Sequence, residues 1–518
     1  MGVRRTVLLR GMLAMLVTAA VLAPAPASAG GDGGLVRVRN GLVHGTVDGH
    51  GRDFYAIPYA APPTGARRFR PPQAAANWSG IRDTTAKGPI CPQAAPLGTV
   101  SEDCLTLNVY TPPAATSRKL PVMVWIHGGA YILGTGTGED PARLVAKGVI
   151  VVSIQYRLGP FGFMALPSLA KESGTTGNYG LQDQQAALRW VRANIATFGG
   201  DPHNVTIFGE SAGGNSTCMQ LISPTAAGLF DKAISESGGC VGTALGPRTA
   251  AAAYTSSQNF ATSIGCTTVA CLRGKSISDL LSGAGNPLGT PAWIPAIDGT
   301  VLTEPTKTAL QTGRYNKVPL LSGTNKDEGR LFTALLIHLT KLRHANTDDL
   351  KTEITARAGH LDHKLLSAYP PASTDNADLA ISQVTTDGAF SCPALFTAQA
   401  AATNPGQKVY AYEFSDPDPP ISGLDPLMPL GDFHSSELPY LFTTLESVPV
   451  PLNNHQTTLS NQITDYWTTF ARTGNPNNPH TPTWPTFTTT SPRLQRLTSQ
   501  GTTPFTTFPT EHKCHLWQ

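Results

Sequence analysis

Gly209-Glu210-Ser211-Ala212-Gly213 limits what this chain can fold into more than any other stretch. It sets a serine between glycines directly after the β-like run Val205-Thr206-Ile207-Phe208. A serine there belongs on a tight, strained strand-to-helix turn, where only small neighbours let the turn close and the hydroxyl projects beyond the sheet. Residues 214–222 read as the helix leaving that turn. Ser211 is therefore a candidate nucleophile. Such a serine needs a base, an acid to orient the base, and donors for a developing oxyanion.

Residues 121–126 and 149–154 are near-continuous apolar runs rich in β-branched side chains, as expected of strands covered on both faces. Between them and the serine, residues 181–198 carry Leu188, Val191, Ile195 and Phe198 at helical spacing, and Gly199-Gly200 ends the pattern. Further strands are expected at 231–235, 318–322 and 409–414. This alternation predicts an α/β fold with a mostly parallel central sheet flanked by helices, the active groups lying at the carboxyl ends of the strands. Residues 240–295 and 335–405 are more polar and read as insertions that cap the site. With no clean linker, residues 30–518 are expected to form one domain.

Residues 1–29 have the make-up of a secretory leader: Arg4, Arg5 and Arg10, an apolar run at 13–23, and Ala27-Ser28-Ala29 as a cleavage site before Gly30. Arg4-Arg5 also resembles a twin-arginine signal, so the export route stays open. The apolar run is too short to span a bilayer and no later stretch approaches ~20 apolar residues. The chain has 38 Lys and Arg against 35 acids, and without the leader's three arginines the two balance. Neither nucleic-acid nor anionic-membrane binding follows from that charge. Eight cysteines in an exported chain read as disulfides. Cys91 and Cys104 would close a short surface loop and Cys266 and Cys271 a shorter one.

The partners Ser211 requires are present. His127-Gly128-Gly129-Ala130 follows the strand at 121–126, where small residues leave backbone N–H groups free to face a ligand. Asp327 and Glu328 follow the strand at 318–322, and His434 lies on a loop after the strand at 409–414. Serine, then acid, then histidine is the chain order of α/β-hydrolases. Phe54 to Ala60, Arg68-Phe69-Arg70-Pro71-Pro72, Glu102-Asp103-Cys104-Leu105, Asn178-Tyr179-Gly180-Leu181 and Thr473-Gly474-Asn475-Pro476 extend the pattern over nearly the whole chain after the leader. With these motifs the chain resembles the type-B carboxylesterases, the family that includes cholinesterases and fungal lipases.

The resemblance implies Ser211 as nucleophile, His434 as general base and then acid, and Glu328 as the orienting carboxylate, with Asp327 as the alternative. It implies an oxyanion hole from the N–H groups of Gly129, Ala130 and Ala212, alanine standing at 130 where cholinesterases have a third glycine. It also implies buried ion pairs Arg68–Glu102 and Arg157–Asp183, and a disulfide from Cys392 to Cys514; Cys218 and Cys240 stay unassigned. Glu210 is either a helper of His434 or a turn acid. The expected activity is hydrolysis of small-molecule esters by a secreted monomer through an acyl-serine, with no cofactor and no metal. His360-Leu361-Asp362-His363 and His512-Lys513-Cys514-His515 lack a complete ligand pattern. A lipase acting on long chains and an inactive adhesion-type member are the alternative readings. Choline specificity is disfavoured, because the twelve residues between Cys91 and Cys104 include no tryptophan.

Overall fold

The structure, a computed structural model, describes residues 33–518 apart from residues 95, 97, 114–118, 244, 283–292 and 424. The leader read at residues 1–29 lies outside the described residues. Eleven strands form one sheet: β1 (Thr46–Asp48), β2 (Gly51–Pro58), β3 (Thr106–Thr111), β4 (Leu120–Ile126), β5 (Ile150–Ile154), β6 (Gly200–Glu210), β7 (Lys232–Glu236), β8 (Leu320–Asn325), β9 (Val409–Phe414), β10 (Leu494–Leu497) and β11 (Thr503–Phe505). Their order across the sheet is β11-β10-β9-β8-β7-β6-β4-β5-β3-β2-β1. Pairings from β5 through β10 are parallel, and the edge pairs β1–β2, β2–β3, β3–β5 and β10–β11 are antiparallel.

From β4 the chain runs to β5 on one side and then to β6 on the other. The crevice between β4 and β6 is thus a switch point, where the loops after both strands diverge and a ligand can enter. The His127 loop leaves β4 there, and Ser211 leaves β6.

Strand side chains alternate between two apolar layers because a strand has a period of two. Val122, Val124, Ile126, Ile207 and Ala233 join Leu188, Val191 and Leu221 on one face, from helices α1 (Tyr179–Asn194) and α2 (Ala212–Ile222). Met123, Trp125, Phe208, Ile234 and Leu321 join Tyr466, Trp467 and Phe470 on the other, from a long C-terminal helix at Asn454–Thr473. Covered on both faces, the central strands are buried along nearly their whole length, with apolar side chains prevailing at Leu120–Ile126 and Ile150–Ile154.

The expected strands are present, the last at its expected ends, the one at 149–154 shorter by a residue and the others extended or shifted by a few residues. The helix expected at 181–198 ends at Asn194 and finishes as a 3₁₀ turn, with Gly199 at φ 91°. The antiparallel edge strands and the C-terminal helix were not foreseen, although that helix starts with a capping box, Asn453 and Gln456.

Residues 240–295 do not cap the site as expected. Only Thr243 and Leu245 among their described residues line the cavity. The helices at Ala250–Ser263 and Val269–Gly274 pack instead against the N-terminal half, where Ala165 meets Ala253 and Arg68 donates to the Arg273 carbonyl at 3.0 Å. The second insertion does reach the cavity, through Leu335, Leu336 and Phe390.

Four disulfides cross-link the described residues: Cys91–Cys104, Cys218–Cys240, Cys266–Cys271 and Cys392–Cys514. The first lies beneath the surface, both its cysteines being fully buried. The second, unassigned from sequence, ties α2 to the segment after β7. His512 bonds Asp387 at 2.6 Å and Glu413 at 2.9 Å beside the last bridge, so it anchors the C-terminus. No helix among the described residues is long and apolar enough to cross a membrane.

Candidate active site

Strand β6 ends at Glu210 and α2 begins at Ala212, leaving Ser211 alone between them with φ 57° and ψ −121°. Backbone in such a region costs on the order of 1–3 kcal/mol and persists only when its surroundings hold it. Here the Ser211 N–H donates to the Glu236 carbonyl and the Ser211 carbonyl accepts from Asn215, both at 2.9 Å. The flanking glycines are required by close approach. A Cβ on Gly209 would lie 2.4 Å from the Ile126 oxygen, and one on Gly213 only 1.9 Å from it.

The loop after β4 holds three successive residues at positive φ, Gly129 at 98°, Ala130 at 53° and Tyr131 at 64°. Glycine is needed at 129, where a Cβ would meet the Leu133 oxygen at 2.2 Å. Alanine at 130 keeps its N–H but bears a left-handed backbone that costs an L-residue roughly 1–2 kcal/mol. The N–H groups of Gly129 and Ala130 have no acceptor among the described residues. Ala212 is the first residue of α2, so its N–H has no intrahelical partner either.

His434 Nδ1 lies 2.6 Å from Glu328 Oε2, with both side chains buried. The other Glu328 oxygen accepts from Thr324 Oγ1 and the Asn325 N–H, each at 2.8 Å, so the carboxylate cannot swing away. Asp327 is turned to Arg330 at 2.8 Å and to the Asp432 N–H, away from the histidine. Between the two sequence alternatives, the geometry puts Glu328 on His434.

Glu210 also faces the imidazole, its Oε1 3.1 Å from His434 Nε2 and accepting from Ser435 Oγ at 2.8 Å. Burial alone would lower the His434 pKa, but the Glu210 and Glu328 carboxylates outweigh it and raise the ring to about 9. Burial in turn pushes Glu210 up. Because a general base must be neutral, replacing Glu210 by glutamine is expected to lower the His434 pKa and move the acid limb of kcat/KM down by about one pH unit or more. A pH–rate profile checks this, and an unmoved limb would rule out Glu210 as the source of the shift.

Ser211, His434, Gly129 and Ala130 line one cavity of about 430 Å³, within the range of small-molecule sites. Phe332 and Phe390 stack 5.5 Å apart and both touch His434, at 5.1 and 4.9 Å between ring centres. With Leu331, Leu335 and Leu336 they make an apolar wall that sequence reading did not identify. Also missed were two buried glutamates behind the histidine. Glu236 is raised by burial to about 8 while accepting from Trp467 Nε1 at 3.1 Å, and Glu437 is pushed well up by burial and by three neighbouring carboxylates. Glu236 had a legible signal, since it ends a strand on the side where active groups gather. The phenylalanines had none.

A model of the carboxylesterase family matches residues 32–517. The chain belongs to this family. It is a carboxylic ester hydrolase with the α/β-hydrolase fold. This carboxylesterase is 37% identical to the para-nitrobenzyl esterase of Bacillus subtilis (strain 168) over 467 residues, covering 86% of this chain and 90% of that protein. It is 35% identical to carboxylesterase 1D of Mus musculus, covering 82% and 81%. A solved PNB esterase superposes with a TM-score of 0.80 at 35% identity, covering 92% of this chain and 98% of that one. The esterase's His360 is exposed and meets Asp362 at 3.8 Å, so the H-x-x-H pair assembles no ligand set of its own.

Proposed function

We propose that this carboxylesterase is an exported, monomeric, single-domain serine hydrolase of small to medium uncharged esters, working through an acyl-serine. The 2.6 Å contact between His434 Nδ1 and Glu328, behind a cavity that Ser211 and His434 share, carries the reading. With Nδ1 held as donor by Glu328, Nε2, which Glu210 Oε1 also faces at 3.1 Å, accepts the Ser211 proton from the neutral ring as Oγ attacks the ester carbonyl. The N–H groups of Gly129, Ala130 and Ala212 stabilise the oxyanion, each donor contributing on the order of 3 kcal/mol. The protonated His434 then gives its proton to the departing alkoxide, and the alcohol leaves. Water attacks the acyl-serine with the same histidine as base, releasing the acid and restoring Ser211.

The apolar wall of leucines and phenylalanines favours an uncharged acyl group. Four disulfides among the described residues suit an oxidising compartment and support export. A fluorophosphonate should add one adduct per chain, mapped to Ser211 by peptide mass spectrometry, and block turnover of a p-nitrophenyl acyl ester in proportion. Labelling elsewhere, or full turnover after complete labelling of Ser211, would refute the assignment.

A further inference from the structure

A second cluster of chemistry-bearing side chains lies outside the catalytic machinery. His338 ends the π-helical turn Ala334–His338, His344 sits on the loop after it, and Asp378 opens the helix Asp378–Thr386. One ligand atom from each of the three lies within 4.8 Å of the others. His338 Nε2 is 3.0 Å from Asp378 Oδ1, and His344 Nδ1 is 2.5 Å from Asp378 Oδ2. We infer that His338, His344 and Asp378 form a binding site for a divalent transition-metal ion, Zn²⁺ in the first instance.

Two observations point to a metal rather than a simple ion-pair cluster. His338 is 2% exposed, and its Nδ1 is engaged by the buried Asp425 carboxylate at 2.5 Å. That contact makes Nδ1 the donor and leaves the Nε2 lone pair facing the others, the arrangement in which a carboxylate backs a metal-bound imidazole. Secondly, Nε2 makes no aligned hydrogen bond with Asp378 despite their proximity, and it is a buried nitrogen without a hydrogen-bond partner. A lone pair aimed near a carboxylate is repulsive until a cation stands between them.

The donor set decides the ion. Two imidazoles and a carboxylate suit zinc and its neighbours, whereas calcium and magnesium want oxygen alone. Tetrahedral zinc at ~2.1 Å from each ligand needs ligand atoms ~3.4 Å apart, to which the contacts of Asp378 with His338 at 3.0 Å and His344 at 2.5 Å would open. The side chain of His344 is 41% exposed, which gives an entry path and leaves a position for water. Phe332, Leu335 and Leu336 precede His338 in the same segment and line the cavity, so the ion would brace that wall from behind. No spacing motif exposes this site, because its ligands come from elements about forty residues apart.

The test uses the full exported chain, stripped with a chelator, incubated with Zn²⁺ and freed of excess metal by gel filtration. Metal content measured by mass spectrometry should reach one equivalent per chain, and zinc should raise the Tm of the stripped protein. His344→Gln, at a half-exposed position, should weaken binding at least tenfold and abolish the Tm rise. Asp425→Asn should weaken it about 10- to 100-fold, while a His360→Gln/His363→Gln double variant should bind as wild type. The far-UV circular dichroism of metal-free His344→Gln, set against that of the stripped wild type, reports whether the fold is intact. No retained zinc in the wild type, or an equal amount retained by His344→Gln, would overturn the inference.

Discussion

Replacing Ser211 by alanine is expected to lower kcat toward a p-nitrophenyl ester by about a million-fold, to the small residue that an oxyanion hole and binding sustain without a nucleophile. Alanine also has a Cβ, so the φ of 57° is no more strained than with serine, and the melting temperature should hold. His434→Ala should cost about as much, and the double variant little more, since the two act as a unit. Burst kinetics and steady-state turnover on the purified variants measure this. Wild-type turnover by Ser211→Ala would remove the proposed nucleophile outright.

The largest stability effect is expected at Asp183. Its carboxylate takes Arg157 Nε and Nη2 at 2.7 Å each and the Arg157 N–H at 3.1 Å, with both side chains essentially inaccessible. Burial pushes Asp183 up despite the guanidinium, which shows how costly the desolvation is. Removing one partner strands the other charge, so Asp183→Ala should cost about 3–5 kcal/mol. Arg157→Met with Asp183→Leu should restore most of that loss, because an apolar pair of similar volume carries no stranded charge. Urea denaturation gives both numbers. A single-variant loss below about 1 kcal/mol would show that Arg157 finds other compensation, for instance through the Arg70 carbonyl it already meets at 2.8 Å.

Legibility followed range along the chain. The central strands were readable because each is buried on both faces and bounded by turn residues. Strands β2 and β3 were not recognised as strands, although their sequences carried part of the family pattern. The cap was divided correctly only in half: residues 335–405 reach the cavity, while the helices after residue 250 pack sideways. Composition cannot tell these apart, since both segments are polar and helical.

The sequence by itself determined Ser211 on its turn, the glycines that let the turn close, the order serine, acid, histidine, and membership of an ester-hydrolase family. These are local matters of φ, steric room and chain order. Only the tertiary structure decided that Glu328 rather than Asp327 meets His434, that Glu210 presses on the same ring, and that Cys218 pairs with Cys240. It alone brought Phe332 and Phe390 against the histidine and gathered His338, His344 and Asp378. Each of these depends on which side chains converge from distant segments at the ends of the strands, and a neighbour in space need not be marked by any spacing along the chain.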